Sequence, residues 1–270
     1  MPGLLPYTLH RLDTDSSQGT ANHRCHPGNR VPPMHKPTRW HVFDDAAAVA
    51  AEGARRVVAA ARTAIARRGT FRIVLAGGRT PLQTYRLLAK EATDWTLWQV
   101  YFGDERCLPP DHEERNSRAI ALAWLDQVPI PAENVHLIPA ELGAEAAAAL
   151  YGPVVSAALP FDLVTLGMGE DGHTASLFPG QTHSGHNLAL PVHGAPKPPP
   201  NRVSLSAGAM SNAHEILIMV TGREKRDALA AWKAGESLPV TAIEGRRGVD
   251  VLIDRDADPI GGRLVNDDAD

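Results

Sequence analysis

The chain has 270 residues, 43% of them hydrophobic, which suits one large α/β domain or two small ones and supplies enough apolar side chain for a substantial core. A formal net charge of -4 argues against a general nucleic-acid or membrane-surface role, so an anionic substrate needs local cations rather than a global field. No run of about 18 apolar residues predicts a membrane span, Cys25 and Cys107 do not make a disulfide framework, and the N-terminus lacks a secretory apolar stretch, all of which fits the cytoplasm.

Residues 1–38 are rich in Pro, His, Ser and Gly and lack hydrophobic periodicity, so they read as a disordered extension with a plausible true start at Met34. His23, Cys25 and His26 fall short of the four suitably spaced ligands that zinc needs. A domain is expected over 39–258. It opens with a strand at 40–43. Asp44 or Asp45 then caps an Ala-rich helix that buries Val49, Gly53, Val57, Ala61, Ala64 and Ile65 and ends at Gly69. A strand at 71–76, a helix from Pro81 with Thr80 as its cap, a strand at 98–102, a helix at 117–125 and a strand at 135–138 follow. The helix expected over 144–159 contains Pro153, which should kink or restart it. A strand at 161–166, apolar after Asp162, precedes a long Pro-rich loop over 181–201. Strands at 202–206 and 216–220, a helix over 223–233 and a strand at 249–253 complete the domain, and 259–270 reads as a frayed acidic tail. Strands alternating with helices imply an α/β, doubly wound, mostly parallel sheet with helices on both faces, Rossmann-like, which binds ligands beyond the C-terminal strand ends.

Three turns lie there. In Leu75-Ala76-Gly77-Gly78-Arg79-Thr80-Pro81, free N–H groups at the following helix end form either an anion site or an ordinary strand-to-helix turn. In Gly103-Asp104-Glu105-Arg106, three charges follow a buried strand; they are either solvated or, with Asp104 orienting Arg106, an anion contact. The third turn, Gly167-Met168-Gly169-Glu170-Asp171-Gly172-His173, fits the dinucleotide G-x-G-x-x-G spacing. Glu170 and Asp171 would repel a pyrophosphate, however, and no acidic residue near 190 or following strand is available for a ribose. The turn instead presents His173 beside carboxylates that can fix its tautomer and favour acid–base work near neutral pH. Arg202 and Lys225 are either solvated or reach the same crevice.

Together these segments, with Thr174-Ala175-Ser176-Leu177-Phe178-Pro179, Asn116, Arg202-Val203-Ser204-Leu205 and Val220-Thr221-Gly222-Arg223-Glu224-Lys225, resemble the 6-phosphogluconolactonase family over about residues 40–255. The resemblance implies the sheet-and-helix fold shared with glucosamine-6-phosphate deaminases, no metal and no organic cofactor. It implies hydrolysis of a phosphorylated sugar lactone in the oxidative pentose phosphate route; a monomer or weak homo-oligomer is a separate expectation. His173 matches the acid–base histidine, supported by Asp171. Arg106, Arg202 and Lys225 match substrate-binding cations, and Gly77, Gly78 and Thr80 match the glycine-turn contacts, with Asp104 in support. Two rivals stand beside it. A glucosamine-6-phosphate deaminase would share Asp171-Gly172-His173 but usually continues with a further carboxylate, where this chain has Ser176-Leu177-Phe178-Pro179. A non-catalytic sugar-phosphate sensor would reuse the fold without the base.

Overall fold

A computed structural model describes residues 37–181 and 186–260. The expectations for the N-terminal extension up to Lys36, for Met34, for the His23–His26 stretch and for the tail beyond Ile260 lie outside those residues, as does part of the long loop.

The domain begins with β1 (Thr38–Phe43), and α1 (Ala46–Arg68) follows. Asp45, not Asp44, is the N-cap, its carboxylate accepting from Ala48 N at 2.8 Å. Gly69 closes the helix at φ 71°, its N–H bonded to Ile65 O at 2.8 Å, a left-handed position that glycine takes without steric cost. Next come β2 (Phe71–Leu75), α2 (Arg79–Leu88), β3 (Trp98–Phe102), β4 (Asp104–Arg106), α3 (Asn116–Ala123) and β5 (Val135–His136). The second half contains α4 (Ala144–Ala158), β6 (Phe161–Leu166), β7 (Ala189–Val192), β8 (Arg202–Leu205), α5 (Ala207–Ser211), β9 (Ala213–Val220), α6 (Arg226–Lys233) and β10 (Val249–Asp254).

Seven strands form one parallel sheet in the order β1-β10-β9-β6-β2-β3-β5, and β4-β8-β7 form a separate antiparallel sheet. From β2 the chain moves outward to β3 and β5; from β6 it moves the other way, to β9 and β10. Right-handed crossovers therefore carry α1, α2 and α3 on one face and α4 and α6 on the other. α1 packs on α2 and α2 on α3, while α4 packs on β7 and β8. The expected doubly wound α/β fold is thus observed, with the antiparallel strands set apart in the small sheet. The adjacent strands β2 and β6 mark the switch point, where such sheets open a crevice.

Several local expectations are corrected. Helix α2 starts at Arg79, because Gly78 at φ 100° and ψ 164° is already its N-cap; Thr80 lies inside the first turn and Pro81 is the third helical residue. Helix α4 runs through Pro153 without restarting. The ring sits on the exposed side of the helix, so the unbonded carbonyl one turn earlier can be hydrated. The loop after β6 contains β7, whose Pro191 is tolerated because β7 is the edge of the small sheet. A 3-10 turn, Arg223–Lys225, precedes α6 instead of one continuous helix. Asp104–Arg106, read as a turn, is a strand.

The central strands are buried on both faces, and β6 is buried at every position. Trp98 anchors an aromatic cluster, with ring centroids 4.7 Å from Phe71, 4.7 Å from Trp95 and 5.7 Å from Trp124. Two buried tyrosines hold the strand ends that matter. The Tyr85 hydroxyl accepts from Ala76 N at 3.0 Å and donates to Ala76 O at 3.1 Å. The Tyr151 hydroxyl accepts from Phe102 N at 2.9 Å and donates to His136 O at 3.1 Å. Burial pushes both phenols above their ordinary pKa, so they remain protonated donors.

Candidate active site

The crevice at the switch point is a cavity of about 540 Å³. That size lies within the roughly 300–1,000 Å³ typical of small-molecule sites. It is lined by the turns after β2, β3, β6 and β9, together with the segment that leads into β8.

The β2 turn enters as Ala76-Gly77-Gly78, fixed from behind by Tyr85. A methyl group on Gly77 would sit 2.0 Å from Asn116 Oδ1, so only glycine lets α3 close against this turn. The first N–H groups of α2 face no helical acceptor; the earliest bond back to the cap is Leu82 N to Gly78 O. Thr80 lines the cavity, its hydroxyl 2.6 Å from that of Thr221.

The β3 turn is shaped by buried carboxylates. Glu105 accepts from Asn116 N at 2.7 Å and Ser117 N at 2.8 Å, so it caps α3. Asp104 accepts from Asn116 Nδ2 at 3.0 Å and from Ser176 Oγ at 2.6 Å. Burial raises the Asp104 carboxyl, against the Ser176 hydrogen bond and the positive charges of Arg106 and Arg202. Arg106 donates to Glu114 O, while its Nε is buried without a partner.

The β6 turn presents His173. Its Nδ1 lies 2.5 Å from Asp171 Oδ1, and its main-chain N donates to the same oxygen at 3.1 Å. Burial works to raise the Asp171 carboxyl, but the His173 main-chain and ring hydrogen bonds carry it below its ordinary value. Asp171 stands behind the ring, not on the cavity wall, which leaves Nε2 as the ring nitrogen free of that pairing. The imidazole packs on Phe178, centroids 4.7 Å apart. Gly169 is obligatory, since a methyl group there would fall 2.0 Å from His173 Nδ1. Ala175 holds φ 49°, a left-handed position for a non-glycine residue beside the site.

Arg202 is buried. Its Nε donates to Pro199 O at 3.1 Å and Nη2 to Lys197 O at 2.9 Å and Pro198 O at 3.2 Å, so it also pins the preceding loop. Burial lowers its pKa, and it lies 5.5 Å from the Phe178 ring centroid. Lys225 lies 3.5 Å from Glu170 Oε2, and the turn that carries it is held by Asp254, which accepts from Gly222 N at 3.0 Å.

The structure thus brings His173, Gly77, Gly78, Thr80, Asp104, Arg106, Arg202 and Lys225 to one cavity, with Asp171 directly behind His173. Sequence reasoning missed Lys197, which lines the same cavity and pairs with Glu170. A lysine followed by three prolines and only five residues before Arg202 was the available signal. Ser176 was also missed as the donor to Asp104.

The family model described as glucosamine-6-phosphate isomerases/6-phosphogluconolactonase matches residues 44–252. The 6-phosphogluconolactonase of Mycobacterium tuberculosis is 36% identical over 238 residues, covering 80% of this chain and 95% of that protein. The 6-phosphogluconolactonase of Streptomyces coelicolor is 36% identical over 229 residues, covering 77% of this chain and 87% of the relative. The crystal structure of 6-phosphogluconolactonase from Thermotoga maritima superposes with a TM-score of 0.76 at 28% identity, covering 81% of this chain and all of that one. The match spans every element that builds the cavity, and the chain belongs to the glucosamine-6-phosphate isomerase/6-phosphogluconolactonase family.

Proposed function

We propose that this chain is a carboxylic ester hydrolase that converts 6-phospho-D-glucono-1,5-lactone to 6-phosphogluconate in the oxidative pentose phosphate pathway. The observation that carries the reading is the meeting of one oriented imidazole, His173, with five cationic side chains, Arg79, Arg106, Lys197, Arg202 and Lys225, around a single cavity. The curated relatives bearing that name support it.

The lactone carbonyl is already electrophilic, so water can attack it without a covalent intermediate. His173 Nε2 takes a proton from the water as its oxygen bonds to C1. The C1–O bond of the ring then breaks, and the imidazolium returns the proton to the departing ring oxygen. Asp171 holds Nδ1 and offsets the charge that forms on the ring. The cations grip the phosphate and use its binding energy to place C1 beside the imidazole. The helix end at Gly78–Thr80 adds anion-binding N–H groups.

The deaminase reading lacks its further carboxylate: at that point Ser176 turns inward onto Asp104. Among the described residues no helix is long and apolar enough to cross a membrane. The proposal includes a cytoplasmic setting, a small phosphorylated lactone as the binding partner and a monomer or weak homo-oligomer. It is tested with freshly prepared 6-phosphogluconolactone in a pH-stat, spontaneous opening subtracted. Acid release in proportion to enzyme supports it, and a rate equal to the blank overturns it.

A further inference from the structure

Glu170 has no part in the chemistry just described, yet it sits in the cavity wall between two of its cations. One carboxylate oxygen meets Lys197 Nζ and the other lies 3.5 Å from Lys225 Nζ. The lysines come from different parts of the chain, one from the loop before β8 and the other from the turn after β9. A single carboxylate on the β6 turn therefore joins three separate segments at the cavity rim. Its geometry resembles the way a phosphate would be held, with one anion shared by two ammonium groups.

We propose that Glu170 is a resident counter-anion: it holds Lys197 and Lys225 together while the cavity is empty and must yield them to the phosphate of an incoming ligand. Lysine suits this exchange because it is a point charge on a flexible stem and can swing from one oxygen to another. The Lys197 hydrogen bond, foremost, keeps the Glu170 pKa low, at about 2, so the competitor remains ionised at neutral pH. Glu170 and Lys197 are nearly half exposed, at 45% and 47%, so the pairing is weak enough to be displaced. The consequence is a raised threshold for anions. Free phosphate and the phosphorylated product bind less tightly than the bare cations would allow, and the cavity clears after turnover.

The inference rests on the proposed function only in naming the substrate's phosphate as the displacing group. Its test needs no turnover. Isothermal titration of the full chain with inorganic phosphate is compared between wild type, Glu170→Gln, Glu170→Ala and Glu215→Gln. Glu215 pairs with Arg247 at 3.2 Å and lines a different pocket, so its amide variant changes net charge equally without touching the cavity. Both Glu170 variants should bind phosphate about tenfold more tightly, as expected for losing one competing charge at this spacing in a half-exposed site. Glu215→Gln should match wild type. A carboxylate that merely supports the fold would give the opposite sign, because its loss would loosen the cations and weaken binding. Unchanged or weaker binding in the Glu170 variants, or an equal gain in Glu215→Gln, overturns the proposal while leaving the lactonase assay free to succeed or fail by itself.

Discussion

Arg106 and Arg202 are direct register partners in the antiparallel pair of β4 and β8, and both line the cavity. Like charges placed opposite one another on a sheet repel, so this pairing is expected to cost stability until an anion sits between or beside them. Inorganic phosphate should therefore raise the melting temperature, by an amount equivalent to about 2.7 kcal/mol when phosphate stands at a hundred times its Kd. Arg106→Gln should flatten that response in a thermal-shift titration. Lys225→Ala should raise KM by roughly tenfold with kcat little changed, the loss of one charged contact to a phosphate. Arg202→Ala should in addition lower the melting temperature of the empty protein, because it removes three hydrogen bonds to the loop at 197–199.

His173→Ala should reduce kcat by about 10²–10⁴-fold while KM stays near the wild-type value, since the ring supplies proton transfer and not affinity. Asp171→Asn should also lower kcat, because an amide can point its NH₂ at Nδ1 and move the ring proton to the wrong nitrogen. Steady-state kinetics over a range of lactone concentrations separates these effects. Near-normal turnover by the His173 variant would remove the assignment.

Gly77→Ala and Gly152→Ala should have opposite effects. The first places a methyl group 2.0 Å from Asn116 Oδ1 and displaces the side chain that holds Asp104. It should cost about 1–3 kcal/mol and most of the activity. The second adds a methyl group to an open position inside α4 and should stabilise by roughly 0.5–1 kcal/mol with activity intact. Urea denaturation read alongside turnover tests both.

Ser176→Ala should be more damaging at neutral than at acid pH. Asp104 is raised by burial, so the native state holds its proton more tightly than the unfolded chain does, and stability falls as pH rises through the window above the ordinary carboxylate value. The Ser176 hydroxyl favours the ionised form and limits that fall. Its removal should cost about 1–3 kcal/mol at pH 7 and less near pH 4. A penalty that does not change with pH would mean that Ser176 does not act through Asp104.

Asp250 should behave in the reverse sense. It joins β1 to α1 and β10 by accepting from Arg39 Nη2 at 2.5 Å and His41 Nε2 at 2.8 Å and pairing with Arg56 at 3.0 Å. Burial alone would raise its pKa, but these partners bring it down to about 2. A depressed carboxyl stabilises the fold above its unfolded value and loses that contribution as pH falls toward 2. Asp250→Asn should cost about 2 kcal/mol at pH 7, and the gap from wild type should narrow below about pH 4. Melting curves at pH 7, 4 and 3 read the difference.

The parallel strands were legible in the sequence because strands buried on both faces are written as apolar runs, as in the Ile216–Val220 stretch of β9. The caps of α1 were legible because Asp45 and Gly69 do their work within a few residues. The start of α2 was misread because Gly78 adopts a backbone conformation open to glycine and takes over the capping position from Thr80. β4 was invisible because Asp-Glu-Arg has no strand pattern; it is buried only because Glu105 finds the N-terminus of α3 and the Arg115 guanidinium. β7 was hidden by Pro191, which only an edge position tolerates.

The sequence by itself determined the order of the elements, the glycines at the tight turns and the pairing of Asp171 with His173, because each of these depends on neighbours a few residues away. Only the tertiary structure decided that Arg106 would face Arg202, that Ser176 would serve Asp104 and that Glu170 would stand between Lys197 and Lys225. Those relationships arise from the reversal of strand order between β2 and β6, which opens a crevice and turns distant loops into it. Short-range pattern carries no record of which distant loops will meet there.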